Sequence, residues 1–557
     1  MTEDPNLRSQ PNADTDRLER LEERLAGIER HLGISVDGLT TGTPEESTSM
    51  SLVQADKNPE EDLEFEVGQN WFAVAGILVL AIGAAFMLSL PYAGLPASVP
   101  SLVGFVVAAG LFLLAHFWQH TFELVSSYLR GAGMALLYFA TLRLYFFGAQ
   151  HALSTENFVG RALLVLAVSL NYAIAWRRRS PWLIGLALLT GYSTAIAVGS
   201  AWFVLGSVVV LSALVIAASL RAHWPWLGII GIPLSYGTYF IWAMGNPFLG
   251  GALHFTAAPV LAPAVVLAVA VFFAVGAWLR PNRKAEDAGT NIGALFNCGF
   301  GYLLFLVHTL AAFAPDLAVA HGFASVVFLV LAVLFWVRER SQVSTFFYAM
   351  TGYGALSVAI MKATAVPEVF VWLSLQSIVV VATAVWFRSR FIVVANFLIF
   401  VAIILGYVVV AERETGISIG FGVVALVSAR ILNWQKDQLE LKTELMRNAY
   451  LVSAFLVFPY GLYHYVSVKH VGLAWVGLAL VYYVLNLIVQ NRKYRCMGHA
   501  TLLLTTCYLV VVGTQGFEPV YRIVSFLVLG TVLLIVSLSF TRWRSRQRAK
   551  PETPLGG

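Results

Sequence analysis

The side chains that could do chemistry are few, because most of this chain consists of long apolar stretches separated by short polar turns. Ionisable and amide side chains inside such stretches are costly in lipid, and they usually contact a ligand, a partner or one another. We therefore predict a substrate-binding role for five of them, with a lipid or a small anionic solute as the ligand. These residues are Arg143, His308, Lys362, Gln376 and Asn396.

These residues also have structural interpretations. Arg143 could contact an anion such as a lipid phosphate, or it could extend to the headgroups or pair with Glu156. His308 could bind a ligand, or it could be a satisfied histidine that packs between helices. Gln376 and Asn396 could form interhelical hydrogen bonds, worth roughly 1 kcal/mol each. The sequence leaves these alternatives open.

Several kinds of site are disfavoured by what the apolar stretches lack. No Asp or Glu lies at the centre of a stretch, which disfavours a carrier with a midplane carboxylate relay. The histidines that could join His308 show no HxxxH or HxH spacing, so we predict no metal site and no cofactor. They are His254, His321, His464 and His470. No GxSxG, HExxH or Walker element stands in a suitable context, so no catalytic residue is assigned and an enzyme is not favoured.

The elements that must position these residues are predicted membrane-spanning helices. The chain is 58% hydrophobic and 12% charged, with a mean hydropathy of +0.75, whereas a soluble domain carries about 25% charged residues. About eighteen apolar stretches approach the ~20 residues that cross a bilayer, which predicts an all-α, polytopic transmembrane helix bundle. The stretches are 71–90, 100–118, 130–148, 161–176, 181–199, 202–220, 224–244, 257–279, 290–313, 318–337, 343–362, 367–387, 391–410, 415–433, 447–466, 470–490, 497–513 and 521–540.

The turns between the stretches alternate in charge. About 24 Lys and Arg fall in every second turn and in the C-terminal tail, against about 5 in the remaining turns. By the positive-inside rule, the basic turns face the cytoplasm. Both chain ends are then cytoplasmic, which requires an even number of crossings. The predicted location is the cytoplasmic (inner) cell membrane, with membrane lipids as partners.

The two ends of the chain differ from its middle. Residues 1–62 form an acidic head, and the first 70 residues carry a net charge of roughly −11. Within the head, leucine and isoleucine recur every three or four residues over 14–33, which predicts a short coiled-coil helix before a disordered tether. This helix could form a homo-oligomer or recruit a cytoplasmic protein, or it could be a solvated amphipathic helix. Residues 63–541 form the transmembrane domain, and 542–557 form a basic tail.

A weak repeat of about 50 residues runs through the transmembrane domain. An aromatic helix end, a basic turn and a returning helix recur in Trp176-Arg177-Arg178-Arg179, Phe335-Trp336-Val337-Arg338 and Val385-Trp386-Phe387-Arg388. Internal duplication would explain the repeat, and so would the alternating topology alone.

The first three stretches carry two distinctive segments. The first reads Glu64-Phe65-Glu66-Val67-Gly68-Gln69-Asn70-Trp71 and is followed by Gly76 and Gly83. The second runs from Leu129-Arg130-Gly131-Ala132-Gly133 to Tyr138 and continues to Arg143-Leu144-Tyr145. On these residues the chain resembles the DUF2339 family of bacterial membrane proteins. The resemblance implies a multi-pass membrane protein, but it implies no reaction.

The glycines in these segments have a physical meaning of their own. Gly76 and Gly83 are seven residues apart and share one face of a helix, where small residues let a neighbouring helix approach closely. Gly131 and Gly133 would do the same at the start of the third stretch. We predict helix packing for all four, with a substrate-lining role as the alternative.

Three functions remain open. The favoured one is transport or handling of a lipid or a small anionic solute in the membrane. A second is a membrane scaffold that recruits a cytoplasmic partner through residues 14–33. A third, an intramembrane enzyme of the cell envelope, would need Arg143 and His308 to meet an acid such as Glu368 or Glu412. No feature of the sequence predicts a nucleic-acid partner.

Overall fold

The computed structural model of the protein describes most of the predicted membrane domain. The described residues are 79, 83, 96, 98–146, 153–222, 224–280, 288–410, 417–434, 443–513 and 519–548. The predicted coiled coil at 14–33, Gly76, most of the first stretch and the end of the basic tail lie outside them.

The described part of the chain consists of helices joined by turns and loops and contains no strand. Seventeen α-helices make up this part. They are α1 (Ser98–Phe117), α2 (Glu123–Phe146), α3 (Phe158–Arg178), α4 (Pro181–Val198), α5 (Ala201–Ala222), α6 (Pro225–Ala243), α7 (Ala262–Trp278), α8 (Ala288–Ala312), α9 (Leu317–Glu339), α10 (Gln342–Ala363), α11 (Glu368–Trp386), α12 (Arg390–Val410), α13 (Ile417–Trp434), α14 (Thr443–Tyr465), α15 (Val471–Val489), α16 (Arg492–Tyr508) and α17 (Pro519–Arg548). Short 3-10 turns occur at Pro247–Leu249 and Ala314–Asp316, and a π-turn at Leu509–Gly513 follows α16.

The helices follow the predicted stretches from 100–118 to 521–540 one for one, so the all-α class is confirmed. Eleven helices in the described residues are long and apolar enough to cross a membrane. The apolar parts of α7, α13 and α17 are shorter, and α2, α6 and α14 are long but more polar. The polar side chains of α6 are largely buried between its neighbours. A helix surrounded by protein does not need an apolar surface on every side.

The helices associate as hairpins that follow one another along the chain. Helices joined by a basic turn, such as α1 with α2 or α9 with α10, pack more extensively than helices joined by the opposite turns. Every extensive contact among the described helices joins helices that are adjacent or next-but-one in chain order. Each hairpin therefore corresponds to one ~50-residue repeat. We call the series of hairpins the array, and it resembles a solenoid in which each unit contacts its neighbours.

Four of the basic turns share one local geometry. Each turn contains a residue in the left-handed region, with φ near 50°, followed at once by Ser or Asn. The left-handed residues are Arg179, Arg340, Arg388 and Gln490. The residues that follow them are Ser180, Ser341, Ser389 and Asn491. The side chain of Ser341 accepts from the Ser344 amide at 3.2 Å, and Asn491 accepts from the Lys493 amide at 3.1 Å. In all four turns the left-handed residue ends a helix, and in the turns of Ser341 and Asn491 the next side chain caps the returning helix, whereas Ser180 forms no such bond.

Contacts between alternate helices bring basic helix ends together. The guanidinium of Arg221 at the end of α5 lies 5.1 Å from the ring centre of Trp176 near the end of α3. Arg338 near the end of α9 lies 4.4 Å from the ring centre of Trp278 at the end of α7. Cation–π contacts of this kind hold an arginine and a tryptophan at one depth. The basic turns of these hairpins therefore lie on the same side of the array.

Candidate functional site

Asn297 of α8, which is 1% exposed, forms hydrogen bonds to three neighbouring helices. Its amide oxygen accepts a hydrogen bond from Tyr236 of α6 at 2.8 Å. Its amide nitrogen donates to the Ala270 carbonyl of α7 at 2.8 Å and to the Tyr348 hydroxyl of α10 at 3.0 Å. One side chain therefore joins four helices. Such a fully satisfied polar group is tolerated in a membrane interior because no donor or acceptor faces hydrocarbon.

A small cavity lies beside Asn297, towards the ends of the helices that carry the basic turns. It occupies about 20 Å³ among α5, α6, α7 and α8, with Asn297 and Tyr348 in its lining and Arg280 just beyond the end of α7. Gly228 and Gly276 line it as well, and a Cβ on Gly228 would lie 2.8 Å from the Arg280 guanidinium. This volume holds about one water molecule. The cavity is therefore too small for an organic solute.

Tyrosine hydroxyls extend this network to the neighbouring hairpins. The hydroxyls of Tyr192 on α4 and Ser235 on α6 lie 2.6 Å apart, and Ser212 of α5 lies 2.9 Å from Ser235. Thr194 of α4 donates to the hydroxyl of Tyr138 on α2 at 3.0 Å. The even-numbered helices from α2 to α10 are thus linked in succession through side-chain hydrogen bonds. Sequence reasoning missed these residues, although Thr and Ser lie within two residues of Tyr192 and Tyr236.

His308 is fully buried, and both of its ring nitrogens have partners. Its Nδ1 lies 2.9 Å from the Tyr239 hydroxyl, and its Nε2 lies 2.8 Å from the Thr256 carbonyl oxygen. A carbonyl can only accept, so Nε2 carries the proton and the neutral ring accepts from Tyr239 at Nδ1. This geometry fits the packing interpretation of His308.

A second histidine has a similar setting. His321 on α9 is buried, with Nδ1 3.1 Å from the Tyr302 hydroxyl and Nε2 2.9 Å from the Thr309 hydroxyl. The described residues contain no group of three His, Cys, Asp or Glu side chains that could hold a metal ion. Glu368 is exposed at the start of α11 and is not among the hydrogen-bond partners of His308. Glu412 lies outside the described residues.

Gln376 and Asn396 each join neighbouring helices. The amide nitrogen of Gln376 on α11 donates to the Tyr353 carbonyl of α10 at 2.8 Å. The amide nitrogen of Asn396 on α12 donates to the Ser377 hydroxyl of α11 at 2.8 Å and to the Tyr450 hydroxyl of α14 at 2.9 Å. These contacts match the interhelical hydrogen bonds considered for both residues.

The two predicted cations lie in different environments. Arg143 of α2 is 2% exposed, whereas Glu156, its proposed partner, is exposed. Lys362 is exposed at the end of α10. The five predicted substrate-binding residues lie on five helices, and the partners of His308, Gln376 and Asn396 are all different. The structure does not assemble them into one site.

The predicted packing glycines differ from one another. A Cβ on Gly131 would overlap the ring of Trp182 on α4, and one on Gly133 would lie 3.1 Å from the Phe112 ring of α1. A Cβ on Gly83 would have no described atom within 4 Å, so no close helix contact is seen there. Gly131 and Gly133 therefore sit at close approaches between helices.

The larger hollows are apolar and open at the surface of the helices. One, of about 360 Å³, lies among α3, α4 and α5, with Gly191, Trp202 and Gly206 in its lining. We call it the first groove. The second groove, of about 330 Å³, lies between α6 and α8, beside Gly237 and Leu303. Both lie in the half of the helices away from the basic turns.

Comparison with known proteins gives one match. A family described as "Predicted membrane protein (DUF2339)" matches residues 68–472, which is most of the chain. Searches of curated proteins and of solved structures gave no significant match. The match extends the resemblance of the first three stretches through α14 to the start of α15.

Proposed function

Because the chain belongs to the DUF2339 family of predicted membrane proteins, we propose that it binds and handles a membrane lipid. The observation that carries this proposal is the difference in volume between the surface grooves of the protein and its internal cavity. The two large grooves, of about 360 and 330 Å³, are lined mainly by apolar side chains and open at the helix surface. The cavity beside Asn297 occupies only about 20 Å³. This contrast favours a lipid over a small anionic solute.

The side chains around each groove support a hydrocarbon ligand. Trp202 and Val210 at the first groove are 69% and 58% exposed, and Leu303 at the second is 58% exposed. Apolar side chains on membrane-crossing helices face acyl chains rather than water. The grooves exist because glycine lacks a side chain at Gly206 and Gly237, where nothing lies within 4 Å of a Cβ. A recess of this kind can take up a lipid chain.

Filling the grooves tests the proposal. The full-length protein would be purified in mild detergent, and retained phospholipid would be counted by native mass spectrometry. We expect Gly206→Leu and Gly237→Leu each to lower the number of retained phospholipids, because the new side chain occupies a groove. Gly477→Leu is the matched control, since Gly477 on α15 is exposed and also has open space at its Cβ. Equal lipid retention in all four proteins would overturn the proposal.

We further propose eighteen spans, with the basic turns and both chain ends in the cytoplasm. The charge difference between alternate turns supports this orientation. Single cysteines would be placed at Arg340 in a basic turn and at Asp316 in an opposite turn, after Cys496 and Cys507 are replaced. A membrane-impermeant maleimide added to intact cells is expected to label Asp316→Cys only. Labelling of Arg340→Cys in intact cells would contradict the topology.

A scaffold function is the second candidate, favoured by the acidic head and its leucine-spaced segment at 14–33. Deleting residues 1–62 discriminates between the two functions. Loss of a cellular phenotype with normal membrane abundance and normal lipid retention would support scaffolding. Full retention of the phenotype would remove the scaffold hypothesis.

A further inference from the structure

Two arginines from different helices converge on one neutral side chain at the basic end of the first hairpins. The amide oxygen of Gln119, which follows α1, accepts from Arg178 at the end of α3 at 3.1 Å and from Arg130 of α2 at 3.4 Å. Arg130 also donates to the Ala115 carbonyl of α1 at 3.2 Å. We call Arg130 and Arg178 the arginine pair. Three helices thus hold two guanidinium groups close enough to share one oxygen atom.

The positive charge of the arginine pair is not balanced by a bound carboxylate. Within the described residues, neither Arg130 nor Arg178 forms a salt bridge. Glu123 at the start of α2 attracts Arg130, and Arg178 repels it. Arg130 is only partly exposed, so water and salt screen this repulsion less than they would at a fully exposed position. An anion bound between the two guanidinium groups would turn the repulsion into two attractions.

Arginines in other basic turns have partners of a different kind. The guanidiniums of Arg221 and Arg338 lie over tryptophan rings, and Arg447 is paired with the Glu444 carboxylate at 2.8 Å. An amide oxygen carries no charge and is a weaker acceptor for a guanidinium than a carboxylate or a phosphate. The arginine pair therefore has the capacity to bind an anion in addition to the contacts that it already makes.

Aromatic side chains near the arginine pair indicate its depth in the membrane. Trp118 precedes Gln119, Trp182 lies at the start of α4, and both indoles are exposed. Indole rings favour the interface between the membrane and water, where the phosphates of phospholipids lie. Phe117 and Leu113, one helical turn apart on α1, are exposed as well, so an apolar face leads from this level towards the hydrocarbon. A lipid bound here would have its phosphate at the arginines and an acyl chain beside α1.

We propose that Arg130 and Arg178 bind the phosphate of an anionic phospholipid, with Gln119 holding the two guanidinium groups in place. A planar guanidinium can donate two parallel hydrogen bonds to phosphate oxygens. Two further arginines, Arg177 and Arg179, follow in the same region and disfavour a headgroup that carries a positive charge. The two grooves lie in the other half of the helices. The site therefore goes beyond the proposed uptake of lipid by the grooves and does not depend on it.

Lipid titrations of the full-length protein in mild detergent test this inference. Native mass spectrometry would measure the affinity for phosphatidylglycerol, which is anionic, and for phosphatidylcholine with the same acyl chains, which is zwitterionic. We expect the original protein to bind phosphatidylglycerol more tightly. Arg178→Gln should weaken that binding about tenfold, the loss expected for one charge-assisted hydrogen bond. Arg178 is exposed at the end of α3, so the variant should keep the melting temperature of the original protein.

Arg390→Gln is the matched control. It removes the same charge from an exposed position in another basic turn, where Arg390 lies over the ring of Phe391, and it should leave phosphatidylglycerol affinity unchanged. Arg178→Lys keeps the charge but loses the planar guanidinium, so its affinity should fall between those of Arg178→Gln and the original protein.

Three results would overturn the inference. They are equal affinities of the original protein for the two lipids, equal losses of phosphatidylglycerol affinity in Arg178→Gln and Arg390→Gln, and complete displacement of the lipid by an equal concentration of soluble glycerol phosphate. The last result would mean that the arginines bind a free phosphate rather than a lipid. Lipid retention in Gly206→Leu and Gly237→Leu tests the grooves alone, so failure of the lipid-handling proposal and failure of this inference are distinguishable.

Discussion

The phenol of Tyr236 donates to the amide oxygen of Asn297 across a distance of 2.8 Å, and this bond joins α6 to α8 inside the array. Gly301, one turn further along α8, makes the approach possible, because a Cβ there would lie 2.7 Å from the Tyr236 hydroxyl oxygen. The same asparagine reaches Tyr348 on α10. Neighbouring hairpins in the described part are therefore joined by neutral amide and phenol groups, which cost less in lipid than charges do.

Replacing this asparagine should destabilise the protein. Asn297→Ala removes three hydrogen bonds and leaves the Tyr236 and Tyr348 hydroxyls without that partner, so we expect a loss of about 2 kcal/mol. Tyr236→Phe, which removes one bond, should cost less. Thermal unfolding in detergent measures both changes. The control is Tyr463→Phe, since Tyr463 is 46% exposed on α14. Equal melting temperatures for Asn297→Ala and the control would contradict this account.

His308 offers a direct test of packing against ligand binding. His308→Ala removes the partners of Tyr239 and Thr256 and empties a buried site, so we expect about 2 kcal/mol or more of lost stability. His254→Ala should have no effect on unfolding, because His254 is exposed in the loop before α7. The packing interpretation fails if His308→Ala keeps the original melting temperature and abolishes lipid retention.

The positions of the helices were predictable from the sequence, but their polar contacts were not. Runs of about 20 apolar residues with charged ends locate α1 to α17, because length and charge placement suffice for that purpose. One partner of Asn396 is Tyr450, 54 residues away on α14. Such a pairing depends on how α12 and α14 rotate about their axes, and a single sequence does not encode that rotation in any local pattern.

Two further features escaped sequence reasoning for different reasons. An Arg-Ser pair occurs in the sequence at Arg179, Arg340 and Arg388. The role of these pairs in ending one helix and starting the next depends on the left-handed backbone of the arginine, which the structure shows. The serine hydroxyls are a second case, because Ser193 bonds to its own helix whereas the Ser101 and Ser428 hydroxyls have no partner in the described part of the chain. Whether a serine bonds to its own helix or faces a groove is decided by its rotamer and its neighbours.

The glycine contacts predict that one of two glycine substitutions destabilises the protein and the other does not. Gly131→Ala places a methyl group against the ring of Trp182, so this ring, which donates to Ser127 at 3.4 Å, must shift. We expect a cost of about 1–3 kcal/mol from overpacking. Gly110→Ala on α1 meets nothing within 4 Å and should leave stability unchanged. Thermal unfolding of the two variants compares them, and equal destabilisation would show that the Trp182 contact is not responsible.

Glu444 predicts a dependence on pH and salt at the basic end of the array. Its carboxylate, at the start of α14, accepts from Lys493 of α16 at 3.3 Å and from Arg447 at 2.8 Å. The hydrogen bond and charge of Lys493, and then the charge of Arg447, hold the pKa of Glu444 below its ordinary value. A lowered folded-state pKa means that the stabilisation is present above the ordinary carboxyl pKa and is lost as the pH falls through the folded value.

Glu444→Gln should therefore lower the melting temperature slightly at neutral pH and low salt, because an exposed ion pair contributes little. The difference from the original protein should vanish in acid, where the carboxylate is protonated, and in about 1 M salt, where screening acts within about 3 Å. Glu368→Gln, at an exposed position at the start of α11, is the control. A difference that persists unchanged in acid and in high salt would mean that Glu444 stabilises the protein by packing rather than by charge.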